Sequence, residues 1–206
     1  MTELLENALV CYDANVLLSI YRYSDATQKK LIEILRELSP RTHIPYQFAL
    51  EYARNRAKVI IDQANLYQKN EDDLKKLADG FASPVTKNPF LSNKSISVLN
   101  EVIDELSSKR KTLEGLLSED QYANLFFELF DKKIGAAPTE KDIQSRYHEA
   151  EERFSKKIPP GHEDRKNKEV PQCYGDYLGW HQLMEAAKQK NKTLYLLPTT
   201  QKTIGS

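Results

Sequence analysis

The chain has 206 residues, and 30 lysines and arginines balance 30 aspartates and glutamates. That length builds one domain with a sizeable core, or one domain carrying a large insertion, and the zero net charge excludes a global field that would gather nucleic acid or acidic membrane. The two cysteines, Cys11 and Cys173, exclude a disulfide framework and a zinc-type CxxC pair.

Leu9-Val10-Cys11-Tyr12, ending on Asp13, reads as a buried strand over Ala8–Tyr12 that delivers a carboxylate to the edge of a sheet. A short helix, Val16–Tyr23, follows. Ser24 or Asp25 caps a second helix, whose Leu31, Ile34, Leu35 and Leu38 stand at helical spacing, and Ser39-Pro40 ends it. Thr42-His43-Ile44, closed by Pro45, reads as a second short strand, so the chain opens β-α-β, the start of a parallel sheet. From Tyr46 a long helical pattern runs to about Leu77, with Phe48, Tyr52, Val59 and four alanines on one stripe. Ser83–Asn93, with Pro84 and Pro89, reads as a loop. Lys94–Leu117 is helical again; Ser118-Glu119-Asp120-Gln121 is a capping-box pattern opening a helix through Phe130, and Thr139 with Asp142 opens another to about Phe154. Residues 60–155 therefore read as a helical insertion between sheet elements.

Lys156–Lys168 is polar, punctuated by Pro159-Pro160-Gly161, and reads as a basic loop. Gly175-Asp176 starts a helix with Leu178, Trp180, Leu183 and Met184 as its apolar face. Thr193–Leu197 has the continuous apolar character of a central parallel strand. No stretch nears the roughly 18 apolar residues of a membrane span, and Met1–Leu9 is not built as a leader, so a cytoplasmic chain without membrane contact is expected.

Few residues stand out chemically. Asp13 reads equally as a metal-binding carboxylate and as an N-cap, and the two roles are compatible, since a cap needs only one oxygen. Asn15 fits a supporting amide that fixes the Asp13 loop, or an ordinary turn residue. Glu51 reads first as a solvated helix glutamate beside Arg54; a functional role needs its helix to face Asp13. Asp176 suits the helix dipole, yet its helix precedes the strand Thr193–Leu197, which puts it on the same sheet edge as Asp13. Lys156, Lys157, Arg165, Lys166 and Lys168 stand against Glu163 and Asp164 in a loop that is either solvated or phosphate-binding. Phosphate-loop, dinucleotide, nucleophile-elbow and HExxH motifs are absent from the sequence.

Tyr12-Asp13-Ala14-Asn15-Val16-Leu17-Leu18, Pro45 through Glu51 to Arg56, Lys157-Ile158-Pro159-Pro160-Gly161-His162-Glu163-Asp164-Arg165-Lys166 and Tyr174-Gly175-Asp176-Tyr177-Leu178-Gly179-Trp180, in this order, resemble the PIN-like domain branch of the PIN nucleases. The resemblance implies a single domain over 1–206 with a three-layer α/β/α fold and a mostly parallel sheet, interrupted by the helical insertion. It implies a Mg2+- or Mn2+-dependent endoribonuclease, of the defence or toxin kind that cuts cellular RNA. Carried over by position, Asp13, Glu51 and Asp176 are the catalytic and metal-binding acids, with Asp13 bridging. Asp164 is a further candidate ligand, Asn15 a supporting residue, and Lys166, Lys168 and Arg54 phosphate contacts. Two such ions ~3.5–4 Å apart activate water and stabilise the leaving oxygen of a phosphodiester.

The chain departs from the family at its late strand, where a Thr-Asp-Asp-like stretch is usual. Here Leu194–Leu197 leads into Pro198-Thr199-Thr200-Gln201, and no acid stands from Thr193 to Ser206. A C-terminally truncated domain with one acid missing is expected. That favours, as a second class of function, a catalytically weak module that binds RNA, or that binds a protein or itself through the helical insertion. A haloacid-dehalogenase-type phosphatase ranks last, because its Asp-x-Asp is here Asp13-Ala14-Asn15.

Overall fold

A computed structural model describes residues 8–83, 91–166 and 168–197. The protein is mostly helical and carries a small parallel sheet: β1 (Leu9–Tyr12), α1 (Ala14–Leu18), a 3-10 turn (Ser19–Arg22), α2 (Asp25–Leu38), α3 (Tyr46–Ala82), α4 (Asn93–Gly115), α5 (Gln121–Phe130), α6 (Glu140–Ser155), α7 (Gly175–Lys190) and β2 (Leu194–Leu197). Two compact units are present, one formed by Met1–Arg54 with Leu125–Ser206 and one by Asn55–Asn124.

In the first unit β1 is buried along its whole length and pairs in parallel with β2, Leu9 opposite Leu194 and Tyr12 opposite Leu197. The expected strand Thr42–Ile44 is reduced to single parallel bridges, Val10 to Thr42 and Ile44 to Ile134. The His43 amide donates to the Val10 carbonyl at 2.9 Å, and the Ile44 amide to the Lys133 carbonyl at 3.0 Å. Pro45 stops the ladder there, and α3 begins one residue later. These contacts order the backbones as β2, β1, 42–44, 133–135, all parallel where they touch, which makes the unit α/β. Thr193–Leu197 has the composition of a central strand, but Tyr195, Leu196 and Leu197 are exposed among the described residues. The loop Ser83–Asn93 is outside the described residues over 84–90, and so is the acid-free tail from Pro198.

Aromatic packing ties α3 and α5 to the sheet. Tyr52 meets Phe126 edge-on at 5.3 Å, Phe126 stands 6.3 Å from Phe130, and Phe130 lies 5.9 Å from Tyr12. The Tyr21 and Tyr52 hydroxyls, both buried, hydrogen-bond at 2.7 Å. α6 opens on the expected capping box: the Thr139 hydroxyl accepts from the Asp142 amide while the Asp142 carboxylate accepts from the Thr139 amide. Its Ala150 and Phe154 pack with Cys173, Tyr174 and Tyr177 in one buried cluster. Arg153 holds the chain that follows: its guanidinium stands 5.6 Å from the Tyr177 ring and 5.3 Å from Trp180, and it donates to the Pro159 carbonyl at 2.6 Å.

The second unit is helical. Ser118 does not cap the helix after it; its hydroxyl donates back to the Gly115 carbonyl, and Asp120 takes over, accepting from the amides of Tyr122 and Ala123 at 3.0 Å each. Asp120 is 6% exposed and also accepts from Arg56 at 2.6 Å. Asp120→Ala strips the helix of its cap and removes the buried carboxylate that Arg56 donates to. It is expected to cost about 3 kcal/mol, read as a lower denaturation midpoint. Glu71, buried on the same unit, accepts from Lys75 at 2.6 Å and Arg110 at 3.2 Å. Ile61, Leu66, Leu77, Val98 and Val102 stay exposed.

Candidate functional site

The acids singled out in the sequence come from four segments: the end of β1, α3, the loop before α7 and the first turn of α7. Asp13 follows β1 directly. Its carboxylate accepts from the Asn15 amide at 3.3 Å, so it is the N-cap of α1, and its own amide donates to the Leu197 carbonyl at 3.4 Å. Asn15 is exposed, and it is its backbone, not its side-chain amide, that supports Asp13.

Glu51 reaches the same neighbourhood because α3 runs close along α7. Three contacts fix the approach. The Gln47 amide donates to the Gln182 side-chain carbonyl at 2.9 Å. Gly179 receives the Phe48 ring, and a Cβ there would land inside it. Gly175 receives the Glu51 carboxylate, and a Cβ there would overlap Oε1. Gly175 and Gly179, one turn apart on α7, leave the room that the Glu51 carboxylate and the Phe48 ring of α3 occupy. The Gln47 side-chain amide donates to Glu51 Oε1 at 2.7 Å and holds it in place.

Asp176 lies in the first turn of α7, beside Gly175. The loop before α7 packs on it through Gly161, whose φ of +83° suits only glycine without strain; a Cβ there would stand 3.1 Å from the Asp176 Cβ. The same loop brings Asp164, which accepts from Lys168 at 2.5 Å.

Charge ties these residues together. Burial pushes the Glu51 carboxyl above its ordinary value; Gln47 opposes this, Asp176 and Asp13 add to it, and Lys168 opposes. Asp176 keeps an exposed flank, yet the protein around it withdraws enough water to push its carboxyl up; Asp164 pushes the same way, Lys168 opposes, and Asp13 adds. Burial works against the Lys168 ammonium, but Asp164, Asp176 and Glu51 hold its proton on, and its pKa rises. Glu51 therefore feels Asp176 and Asp13, and Asp176 feels Asp164 and Asp13, with Lys168 as the internal cation. Of the other expected phosphate contacts, Lys166 pairs with Glu163 on the surface, and Arg54 is exposed one turn beyond Glu51 on α3.

The PIN like domain family profile matches residues 9–203, nearly the whole chain. The chain belongs to the PIN-like domain family. Neither a curated protein nor a solved structure matches it. No helix among the described residues is long and apolar enough to cross a membrane.

In this PIN-like domain the acids converge less tightly than shared ligation requires. Among the described residues no three His, Cys, Asp or Glu side chains lie close enough to hold one ion together. The reason is local: Asp13 is turned to its cap, Glu51 to Gln47 and Asp164 to Lys168. The sequence pattern finds the acids but misses Gln47 and the glycine pair. The signals for them are an amide four residues before Glu51 and a small-xxx-small spacing at 175–179 on a helix.

The raised carboxyls give this site its own pH response, opposite in sign to that of the paired surface carboxylates such as Glu149 and Glu151. Groups whose folded pKa exceeds the ordinary value, 4.5 for Glu51 and 3.8 for Asp176, favour the fold fully only below that value. Their contribution is lost as pH rises through the higher folded pKa, because the native state then gives up protons it had kept. In EDTA, the stability of the unmodified protein relative to Glu51→Gln is expected to fall as pH rises through the Glu51 carboxyl, read as the difference between their thermal midpoints.

Proposed function

We propose that this chain is a divalent-metal-dependent endoribonuclease that hydrolyses RNA phosphodiesters at the carboxyl edge of its sheet. The observation that carries this reading is the packing of Glu51 against Gly175 beside Asp176, where both carboxyls are raised and feel Asp13. A protein gains nothing in stability from crowding carboxylates until a cation or a phosphate-bound metal relieves them.

The donors fit Mg2+ or Mn2+ in kind. All are oxygens, and magnesium keeps several waters and is held through one or two carboxylates plus substrate phosphate, so a closed three-carboxylate shell is not required. Glu51 and Asp176 would hold the ion, with Asp13 and Asp164 acting on it at longer range. When bound, it supplies Lewis-acid polarisation of the phosphodiester and activation of water. Gln47 orients Glu51, and Lys168 balances charge while the ion is away. Arg54, exposed at the rim, is placed to meet a phosphate of the strand. We read the helices around the parallel sheet as the family's three-layer α/β/α arrangement, with the helical middle inserted into one domain. We read the setting as cytoplasmic, with cellular RNA as the target.

A second reading has one observation in its favour. The lack of a preformed three-ligand group among the described residues suits a catalytically weak RNA-binding or protein-binding module, for which Ile61, Leu66, Leu77, Val98 and Val102 offer exposed apolar side chains. The two readings separate on labelled single-stranded RNA incubated with manganese. The nuclease produces fragments, stops on addition of EDTA and resumes when manganese is restored in excess. Binding without fragments would leave the module.

A further inference from the structure

Beside the acid cluster, α3, α6 and α7 enclose a cleft of about 170 Å³. That is below the roughly 300 Å³ at which sites for drug-sized ligands begin, and it suits a single planar ring system. Its walls combine two tyrosines, Tyr46 and Tyr147, with apolar Leu50 and Leu178 and the side-chain amides of Gln172 and Gln182. The Tyr147 ring is held from behind by Tyr174, with centroids 5.2 Å apart. Gln182 accepts from the Gln47 amide, which engages its carbonyl and leaves its NH2 to donate.

The cleft is joined to the acids by one residue. Gln47 lines it and also donates to Glu51 at 2.7 Å. Arg54 lies at its rim, close enough for its charge to act on the Tyr147 phenol. Aromatic faces, amides that donate or accept, and a cation one helical turn from a carboxylate are the components that hold an unpaired base and its phosphate. We propose that this cleft is a nucleobase subsite, which seats an unstacked base of single-stranded RNA next to the phosphate presented to the acid cluster. The proposal rests on the reading of that cluster as an RNA site. Stacking on tyrosine tolerates any base, and a Gln amide adapts to donor or acceptor edges, so the subsite selects single-stranded RNA without a strict sequence.

The test compares two 5′-labelled oligomers of equal length in EDTA by fluorescence anisotropy: a single-stranded oligoribonucleotide and an abasic ribose-phosphate chain. The full-length protein is expected to bind the base-bearing oligomer about 5- to 100-fold more tightly, the range that one stacked base supplies. Tyr147→Leu is expected to remove that preference and leave affinity for the abasic chain unchanged, whereas Tyr147→Phe retains it. Gln172→Ala, on an exposed residue, is expected to reduce the preference without affecting folding, which keeps the test valid should Tyr147→Leu unfold. Equal binding of the two oligomers by the unmodified protein, or a preference that survives both Tyr147→Leu and Gln172→Ala, would overturn the subsite. Manganese-dependent cleavage, assayed separately on the same protein, reports on the acid cluster. Cleavage with equal binding rejects the subsite alone, and no cleavage with a Tyr147-dependent preference rejects the nuclease alone.

Discussion

Phe48→Ala is expected to destabilise the protein by about 4 kcal/mol, a fall in thermal midpoint of roughly 8–16 °C. Phe48 is 6% exposed and its ring fills the space left by the missing side chain at Gly179. Deleting it creates a cavity between α3 and α7 that neither helix can close, because Gln47 and Gln182 pin the helices one turn away. The reciprocal change gives the same information with opposite sign of volume. In most helices Gly→Ala gains up to about 1 kcal/mol of propensity. At Gly179 the added methyl lands inside a buried ring, and overpacking of that kind costs about 1–3 kcal/mol, so the sign reverses and Gly179→Ala destabilises. Combining Gly179→Ala with Phe48→Leu is expected to recover part of the loss, since the smaller side chain yields to the methyl. Additive losses in the pair would show that the helices do not meet at this point.

Asp176→Asn is expected to lower RNA cleavage in manganese by about 100-fold or more while leaving the fold intact, and Asp13→Asn by a similar factor. Each substitution keeps size and hydrogen bonding but removes one charge from the cluster that a cation relieves. Stability should respond in the other direction for Asp176, whose carboxyl is held above its ordinary pKa by its surroundings. Higher stability with lower activity separates a site residue from a structural one. Gly175→Ala sharpens the distinction. The new methyl meets the far ends of two flexible side chains, the Glu51 carboxylate and the Gln47 amide, which move at little cost to the fold, so cleavage should drop with the midpoint nearly unchanged.

Local rules make part of this fold legible in the sequence. The apolar run at Leu9–Tyr12 is buried and ends on Asp13 as its composition dictates, and the Thr139–Asp142 box opens α6 as its pattern dictates. The failures share a cause, which is tertiary context. Ser118 matches a capping box, yet Asp120 caps, because it is the residue that also meets Arg56. Thr42–Ile44 has strand composition but stays at single bridges, because Pro45 ends the extended stretch before a ladder forms. In α7 the expected apolar face of Leu178, Trp180, Leu183 and Met184 holds only in part. Met184 is exposed, and the buried positions are Gly175, Tyr177, Gly179, Leu183 and Ala186, since the helix packs through glycines. Likewise the pattern grouped Glu140–Ser155 with the helical middle, whereas its Ala150 and Phe154 pack with Tyr174 and Tyr177 beside Asp176. Order along the chain singles out the acids as candidates. Their tethers were not, because Gln47, Lys168 and the two glycines acquire meaning only once α3 and the loop before α7 are folded against α7.

The proposed cation site at Glu51 and Asp176 is tested by manganese binding. Free manganese is titrated against the RNA-free protein by electron paramagnetic resonance, beside the double variant Glu51→Gln, Asp176→Asn. The unmodified protein is expected to take up manganese, with affinity that rises with pH as the two carboxyls ionise, and the double variant is expected to lose that uptake. Equal manganese binding by both proteins would contradict the claim.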